Sequence, residues 1–518
     1  MSLKPQPLPE IPEETARVAR SLLPKGNRYM WLRDELGAIY TDEQFAMLYP
    51  TQGQCAEQPW RLAFMCLVQY LENYTDRQAA EAMKTRIDLK YALSLELTDP
   101  GFDFSVLSEF RSRLIKGGGE ERCLTAFLER CQEHGWLKER GKQRTDSTHI
   151  EAAIRIMNQI ECVGETLRAA LNSLAIVVPD WLRMHVPADW FDRYATRMED
   201  FRMPKEAKQR EALAEQIGQD GWDLFSWIRA DETFWWLRNI PAVEILRKVW
   251  MQQFWVEEGQ LHLRSKEQLP PASLLIASPY DPQARMAVKR STSLIGYKAH
   301  LTETCDNDLP HLIIHVETTP APMADRELTE ELHQKLEHKR LLPNEHLMDA
   351  GYLDGGTIVT SQKAYGIDLI GPVQLNSSWQ AKAAEGFDSS QFRIDWEHQK
   401  VTCPQGKTSQ KWFSWVDEGV ERIGAQFGKE ECLSCPTRSQ CTHAKTSPRK
   451  VTFSPREEYE ALQAVRQRQT TPASKSVMPS ELVLKARFHK EYALLIFVSA
   501  AILGERKPTF NIFLPLLP

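Results

Sequence analysis

A chain of 518 residues, 42% hydrophobic and 26% charged, has the composition of an ordinary globular protein and is long enough for two or three domains with separate cores. No apolar run reaches the ~18–20 residues that cross a bilayer, and residues 1–25 lack the charged-then-apolar pattern of a secretory leader, so the expectation is a cytoplasmic protein with no membrane partner. A net charge of −6 excludes a uniformly basic nucleic-acid binder, so DNA would have to be held by local patches of Lys and Arg.

Residues 1–40 begin Pro-rich and charged and read as an arm. The run from Pro59 to Tyr74 is apolar almost all round, as in a buried helix. Thr75 and Asp76 then offer an N-cap to a second helix through Met83, which carries Arg77, Lys84 and Arg86. Helix, tight turn and polar helix form the layout of a helix-turn-helix, with those three residues as candidate DNA contacts; any two packed helices would give the same pattern.

Arg144-Thr145-Asp146-Ser147-Thr148-His149-Ile150 reads as a short polar strand that ends on a carboxylate at the open end of a sheet. Mg²⁺ prefers one or two fixed carboxylate oxygens, so Asp146 is a candidate metal ligand; taken alone, a turn in which Asp146 and Ser147 bond nearby backbone explains it too. From Glu151 to about Pro271 the chain is helical and rich in tryptophan, from Trp181 to Trp255. Core packing is favoured for these rings over stacking on unpaired bases.

Period-2 alternation returns at Ala287 to Lys289 and at Gly296 to Leu301, which predicts a hairpin, and Leu312 to Val316 predicts a buried strand. Lys289, Arg290, Lys298 and His300 lie where they could meet phosphate or be ordinary strand surface. A helix from Asp325 to about Arg340 precedes an apolar strand ending at His346-Leu347-Met348-Asp349, which turns through Gly351. Two strand-terminal aspartates far apart in sequence, Asp146 and Asp349, can converge at one sheet edge and hold a metal. A further helix past Gly355 and the strand 367–372 complete an alternating β/α order.

At this point the sequence resembles the DDE transposases of bacterial insertion sequences. The matching pieces are Thr-Asp-Ser-Thr at 145–148, Tyr-Lys-Ala-His at 297–300 and Asp-Ala-Gly-Tyr at 349–352, and the likeness runs from about residue 40 to 470. Phe102-Asp103-Phe104-Ser105 to Phe110-Arg111 resembles the family's helical N-terminal domain. The resemblance implies an α/β fold: a ribonuclease-H-like mixed sheet with helices (140–470), preceded by an all-helical DNA-binding domain (1–135) and interrupted by a helical insertion (151–271). It further implies cleavage and transfer of double-stranded DNA at inverted-repeat ends and target. Asp146 and Asp349 would be catalytic ligands of Mg²⁺ or Mn²⁺, in a nucleoid-associated protein acting as a homodimer on DNA.

The cysteines are scattered up to Cys305 and clustered after it, which in a cytoplasmic protein argues for free thiols and a metal site over a disulfide framework. Within 400–445, Cys403, Cys432, Cys435 and Cys441 can close a tetrahedral structural Zn²⁺ shell, with His443 as a substitute ligand and plain reduced thiols as the alternative. The family's site is completed by a Glu in the pattern Tyr, two residues, Arg, three residues, Glu. Arg456 and Glu460 have the second spacing, but Phe453 stands where Tyr should be. The resemblance stops near Thr471-Pro472, and the tail 471–518 reads as a lost frame. With plausible codons, reading two bases later yields Tyr-Ala-Ile-Arg-Ala-Gly-Val-Glu, the missing pattern.

The expectation is therefore a transposase impaired by loss of its third acid, unless Glu481 or Glu491 substitutes. Its rivals are a non-catalytic DNA-binding remnant that occupies element ends and a metal-dependent nuclease unrelated to mobility.

Overall fold

The computed structural model describes residues 2–289, 292–373, 378–383, 387–417 and 419–469. They divide into two compact units, one holding residues up to 146, 301–317 and 324 onward, the other 147–300 and 318–323.

In the first unit, seven helices open the chain: α1 (Glu13–Leu22), α2 (Arg28–Leu36), α3 (Pro59–Leu71), α4 (Asp76–Thr85), α5 (Ile87–Ala92), α6 (Ser105–Lys116) and α7 (Glu120–Glu133). The apolar run expected to be a buried helix is α3, whose Leu62, Met65 and Val68 are buried with Phe45, Met83, Leu107 and Phe110 in one core. Thr75 caps α4 with a reciprocal capping box through Gln78, which satisfies two orphan donors of the helix start. Arg111 of α6 grips Asp76 at 2.8 Å and Gln69 at 2.9 Å, tying α3, α4 and α6 together.

Strand β1 (Arg140–Glu151) follows, and then the insertion: α8 (Gln159–Val177), α9 (Pro179–His185), α10 (Asp189–Tyr194), α11 (Ala207–Ala230), α12 (Pro241–Gln253) and the hairpin β2 (Phe254–Glu257) with β3 (Gln260–Leu263). Its tryptophans pack as core where they are enclosed: Trp181, Trp190 and Trp250 are buried among Val163, Leu224 and Leu246. Trp250 lies against Gly221, where a Cβ would come within 2.3 Å of its ring, and its Nε1–H donates to the Gly218 carbonyl at 3.0 Å. Trp222 and Trp235 are about half exposed.

The mixed sheet is built from β1, β4 (Arg285–Lys289), β5 (Thr292–Thr304), β6 (Ile313–Pro320), β7 (Pro343–Met348) and β8 (Asp368–Ile370). Its order is β4-β5-β1-β7-β8, with β6 also paired to β5; β4 and β5 form the expected hairpin, while β1, β7 and β8 run parallel. Helix α14 (Gly355–Tyr365) makes the parallel crossover from β7 to β8, and α13 (Asp325–His338) leads from β6 into β7. The sequence predicts a short strand that ends at Asp146; in the structure β1 continues to Glu151. The pairing of β7 with β1 ends at Thr145 and Met348, one residue before Asp146 and Asp349.

Beyond the sheet come α15 (Trp379–Ala383), the pair β9 (Arg393–Asp395) and β10 (Lys400–Thr402), and the strands β11 (Lys411–Asp417) and β12 (Val420–Gln426). They are followed by α16 (Lys429–Leu433), α17 (Arg438–Cys441), β13 (Lys450–Phe453) and α18 (Arg456–Gln469). Strands β11, β12 and β13 form a three-stranded antiparallel sheet over a core of Val401, Ala425, Val451 and Phe453. Among the described residues no helix is long and apolar enough to cross a membrane.

Candidate active site

The parallel register of β1 and β7 pairs Gln143 with His346, Arg144 with Leu347 and Thr145 with Met348. Asp146 and Asp349 are the next residues on the two chains, so their backbones leave the pairing side by side, at a strand spacing of about 4.8 Å. Alternation along β1 turns the Asp146 side chain to the face opposite Thr145. Asp146 is 8% exposed and Asp349 half-buried.

A tight turn presents Asp349. Its Oδ1 accepts the Gly351 N–H at 2.8 Å, and its carbonyl accepts the Tyr352 N–H at 3.1 Å. A Cβ at Gly351 would stand 2.8 Å from Asp325 Oδ2 and 3.0 Å from Asp349 Oδ1, so glycine leaves the room in which two carboxylates approach. Asp325 begins α13, and from the same helix Thr329 donates to the Tyr352 carbonyl at 3.1 Å, fastening the turn to the helix. Sequence reading missed Asp325; its place at a helix start resembles ordinary capping, and only the fold brings it beside Asp349.

Behind the aspartates, a buried polar chain crosses the sheet. Thr145 Oγ1 lies 2.8 Å from Thr302 Oγ1 and 2.7 Å from His346 Nε2; His346 Nδ1 lies 3.1 Å from His333 Nε2, and His333 Nδ1 3.3 Å from Ser361 Oγ. Burial holds the His333 imidazole at about 4 and pushes His346 well below its ordinary value, with His333 adding to the second effect. Both rings are therefore neutral near pH 7, and every hydroxyl and ring nitrogen along the chain can be satisfied. Beside it the Arg144 Nε–H donates to buried Glu303 at 2.6 Å.

These histidines give the fold a pH dependence of definite sign. Unfolded, both bind a proton near pH 6.5; folded, they resist it, so stability is full above pH 6.5 and is lost as pH falls toward 4. Urea unfolding at pH 5 is expected to show His333 costing about 2 kcal/mol relative to pH 7.5, with His346 acting in the same direction, and His333→Phe should reduce the difference. Equal stability of the parent chain at the two pH values would contradict this.

The candidate DNA contacts sit in different settings. Arg77 is exposed with its guanidinium 4.0 Å from the Phe104 ring, and Lys84 is exposed. Arg86 is engaged by Asp88 at 2.5 Å and by Glu72 at 3.5 Å, so its charge is matched internally. Lys298 is partly buried and donates to the Met323 carbonyl at 2.6 Å. His300 is 1% exposed with Nε2 at 2.9 Å from Thr319 Oγ1, which corrects its reading as a surface contact: at this point β5 is covered on both faces. Lys289 closes β4, and Arg290 lies outside the described residues.

Cys403, Cys432, Cys435 and Cys441 line one cavity together with Arg438 and Arg449. The chain folds back after Cys403, whose Sγ receives the Lys407 N–H at 3.4 Å. Burial pushes the Cys441 thiol up; Arg449 opposes this, while Cys432, Cys403 and Cys435 add to it. Among the described residues no group of three or more His, Cys, Asp or Glu is drawn together closely enough to hold a metal ion, so neither the thiols nor the aspartates form a closed ligand set. His443 stacks its ring 3.9 Å from that of Trp379. Arg456 and Glu460 form an exposed pair within α18 at 2.9 Å, and the tail with Glu481 and Glu491 lies outside the described residues.

Two family models match the chain: a transposase domain (DUF772) over residues 17–113 and a transposase DDE domain over residues 402–479. The first covers most of the helical region before β1, and the second the cysteine cavity, the β11–β13 sheet and α18. No curated protein and no solved structure matches.

Proposed function

We propose, from the premise that this chain is a DDE transposase of an insertion sequence, that it binds double-stranded DNA at the ends of its element and carries the remains of a metal-dependent strand-cleavage site at Asp146 and Asp349. The observation that carries the reading is the register that sets those two aspartates side by side. The strand order β5-β1-β7-β8, with β6 on β5 and a helix joining the parallel strands β7 and β8, supports a ribonuclease-H-like core.

Bound there, Mg²⁺ or Mn²⁺ would supply activation of the attacking oxygen and stabilisation of the leaving one. The protein's own part is to hold two carboxylates at a rigid sheet edge, with the polar chain behind Thr145 fixing the register. Asp325 offers a further carboxylate next to Asp349. The helical domain would position DNA through Arg77 and Lys84, with the chain acting as a homodimer in the cytoplasm on the nucleoid. The four cysteines have the donor chemistry of a structural zinc site.

A second reading, an end-binding remnant without cleavage, is favoured by the absence of the Tyr-Arg-Glu pattern from the sequence after Asp349. Both readings require end recognition. Gel shifts with duplexes from the flanks of the gene should show inverted repeats bound at least about a hundredfold more tightly than scrambled DNA. Asp146→Asn should leave that preference intact and lower Mn²⁺ affinity about tenfold or more, read by electron paramagnetic resonance. No preference for the repeats would overturn the assignment.

A further inference from the structure

The outer face of the β11–β13 sheet has features that core packing does not account for. Its inner face, with Trp412, Ala425, Val451 and Phe453, packs into the core. On the outer face the register sets Phe413 opposite Gly424, Trp415 opposite Arg422, and Thr452 on the far side of Gly424. The Phe413 and Trp415 rings stack 5.6 Å apart at 28° to one another, and both remain partly exposed.

Gly424 makes this arrangement possible. A Cβ there would stand 2.7 Å from the Phe413 ring and 2.9 Å from the Trp415 ring, so the two rings lie down over bare backbone. Across the same gap Lys450 brings its ammonium to 4.6 Å from the Phe413 centroid and 4.3 Å from that of Trp415. Alternation adds Lys411 and Arg422 to this face, against a single described acid, Asp417.

Arg422 of the platform is linked through α18 to the start of α14. Arg422 Nη1 lies 3.5 Å from Ser454 Oγ, and its charge acts on Glu458 of α18. Glu458 in turn packs against the start of α14, where a Cβ on Gly355 would be 2.8 Å from its own Cβ. That helix begins just after the turn that presents Asp349.

We propose that this face docks a single-stranded, unpaired stretch of DNA, with Phe413 and Trp415 stacking on bases and Lys411, Arg422 and Lys450 meeting phosphates. The inference rests on the DNA reading above. Paired aromatic faces give sequence-tolerant stacking, and cations beside them follow the backbone; a duplex offers its bases to no such platform because they are already stacked. A transposase needs such a surface wherever strands separate or a cut leaves an unpaired end.

The test uses the full chain and two fluorescein-labelled probes: a blunt duplex of the element end, and the same duplex with a single-stranded thymine overhang. Fluorescence anisotropy should show the overhang probe bound more tightly. Phe413→Leu with Trp415→Leu should lose about tenfold to a hundredfold on the overhang probe and less than about twofold on the blunt one. Those variants keep apolar cover over Gly424, and unchanged circular dichroism and thermal midpoint establish that they fold. Lys450→Gln should lower the salt dependence of overhang binding by about 0.7 in log–log slope.

Equal binding of both probes by the parent chain overturns the proposal. So does undiminished overhang binding by the leucine variants, which would mean that the rings serve only to cover the glycine. Failure of the parent chain to bind either probe removes the DNA reading itself, a result distinct from loss of the overhang preference alone.

Discussion

A chain whose reading frame is restored after Thr471 is expected to cleave element-end DNA in Mg²⁺ on the order of 10³-fold faster than the chain as it stands. The reasoning is electrostatic. A phosphodiester attacked in line develops charge on both the entering and the leaving oxygen, and each lost ligand weakens the hold on a cation that offsets that charge. In the proposed reading, the two aspartates at the end of the β1–β7 pairing would give part of such a site, and the restored segment would bring the Glu of the Tyr-Arg-Glu pattern. Asp349→Asn in the restored chain should return cleavage to the background of the present one. The measurement is single-turnover nicking of a labelled inverted-repeat duplex. Cleavage by the present chain at the restored rate would show that another acid, such as Asp325, already fills the role.

Gly371→Ala should be the most damaging single methyl group near the candidate site. Parallel pairing of β7 with β8 sets Leu347 opposite Ile370, and Gly371 then passes so close that a Cβ would lie 1.9 Å from the Met348 carbonyl oxygen. That atom is backbone and has no rotamer through which to yield. The strand must move away, at a cost of about 3 kcal/mol, and Asp349, the residue after Met348, moves with it. The thermal midpoint should fall by roughly 5–10 °C, and Mn²⁺ binding should weaken alongside. Gly356→Ala is the control: its nearest neighbours would be 3.4 Å away, an ordinary contact, and it should be close to neutral. Equal midpoints for the two variants would show that the close approach is not rigid.

Much of the architecture was legible because it is written in short-range patterns. The all-round apolar run of α3, the Thr75 cap of α4, the β4–β5 hairpin and the strand that leads into Asp349 each follow from periodicity or capping over a few residues. Where β1 ends was not legible, because a strand stops where its partners stop, and local alternation does not name the partner. Burial of His300 went unseen for the same reason: Lys298 and His300 share a face, yet Thr319 encloses one imidazole from another strand.

By itself, then, the sequence determined elements such as α3, α4 and the β4–β5 hairpin, and it singled out two aspartates and a group of cysteines as candidates, since side-chain chemistry and spacing of 2 or 3.6 residues are local properties. Only the tertiary structure decided that Asp146 and Asp349 emerge from one strand pair, that Asp325 approaches the turn at Gly351 beside Asp349, and that two rings lie over Gly424. Thr145 and His346 meet across 201 residues of chain, and such a register is selected by the joint packing of strands and helices, which no short window of residues contains.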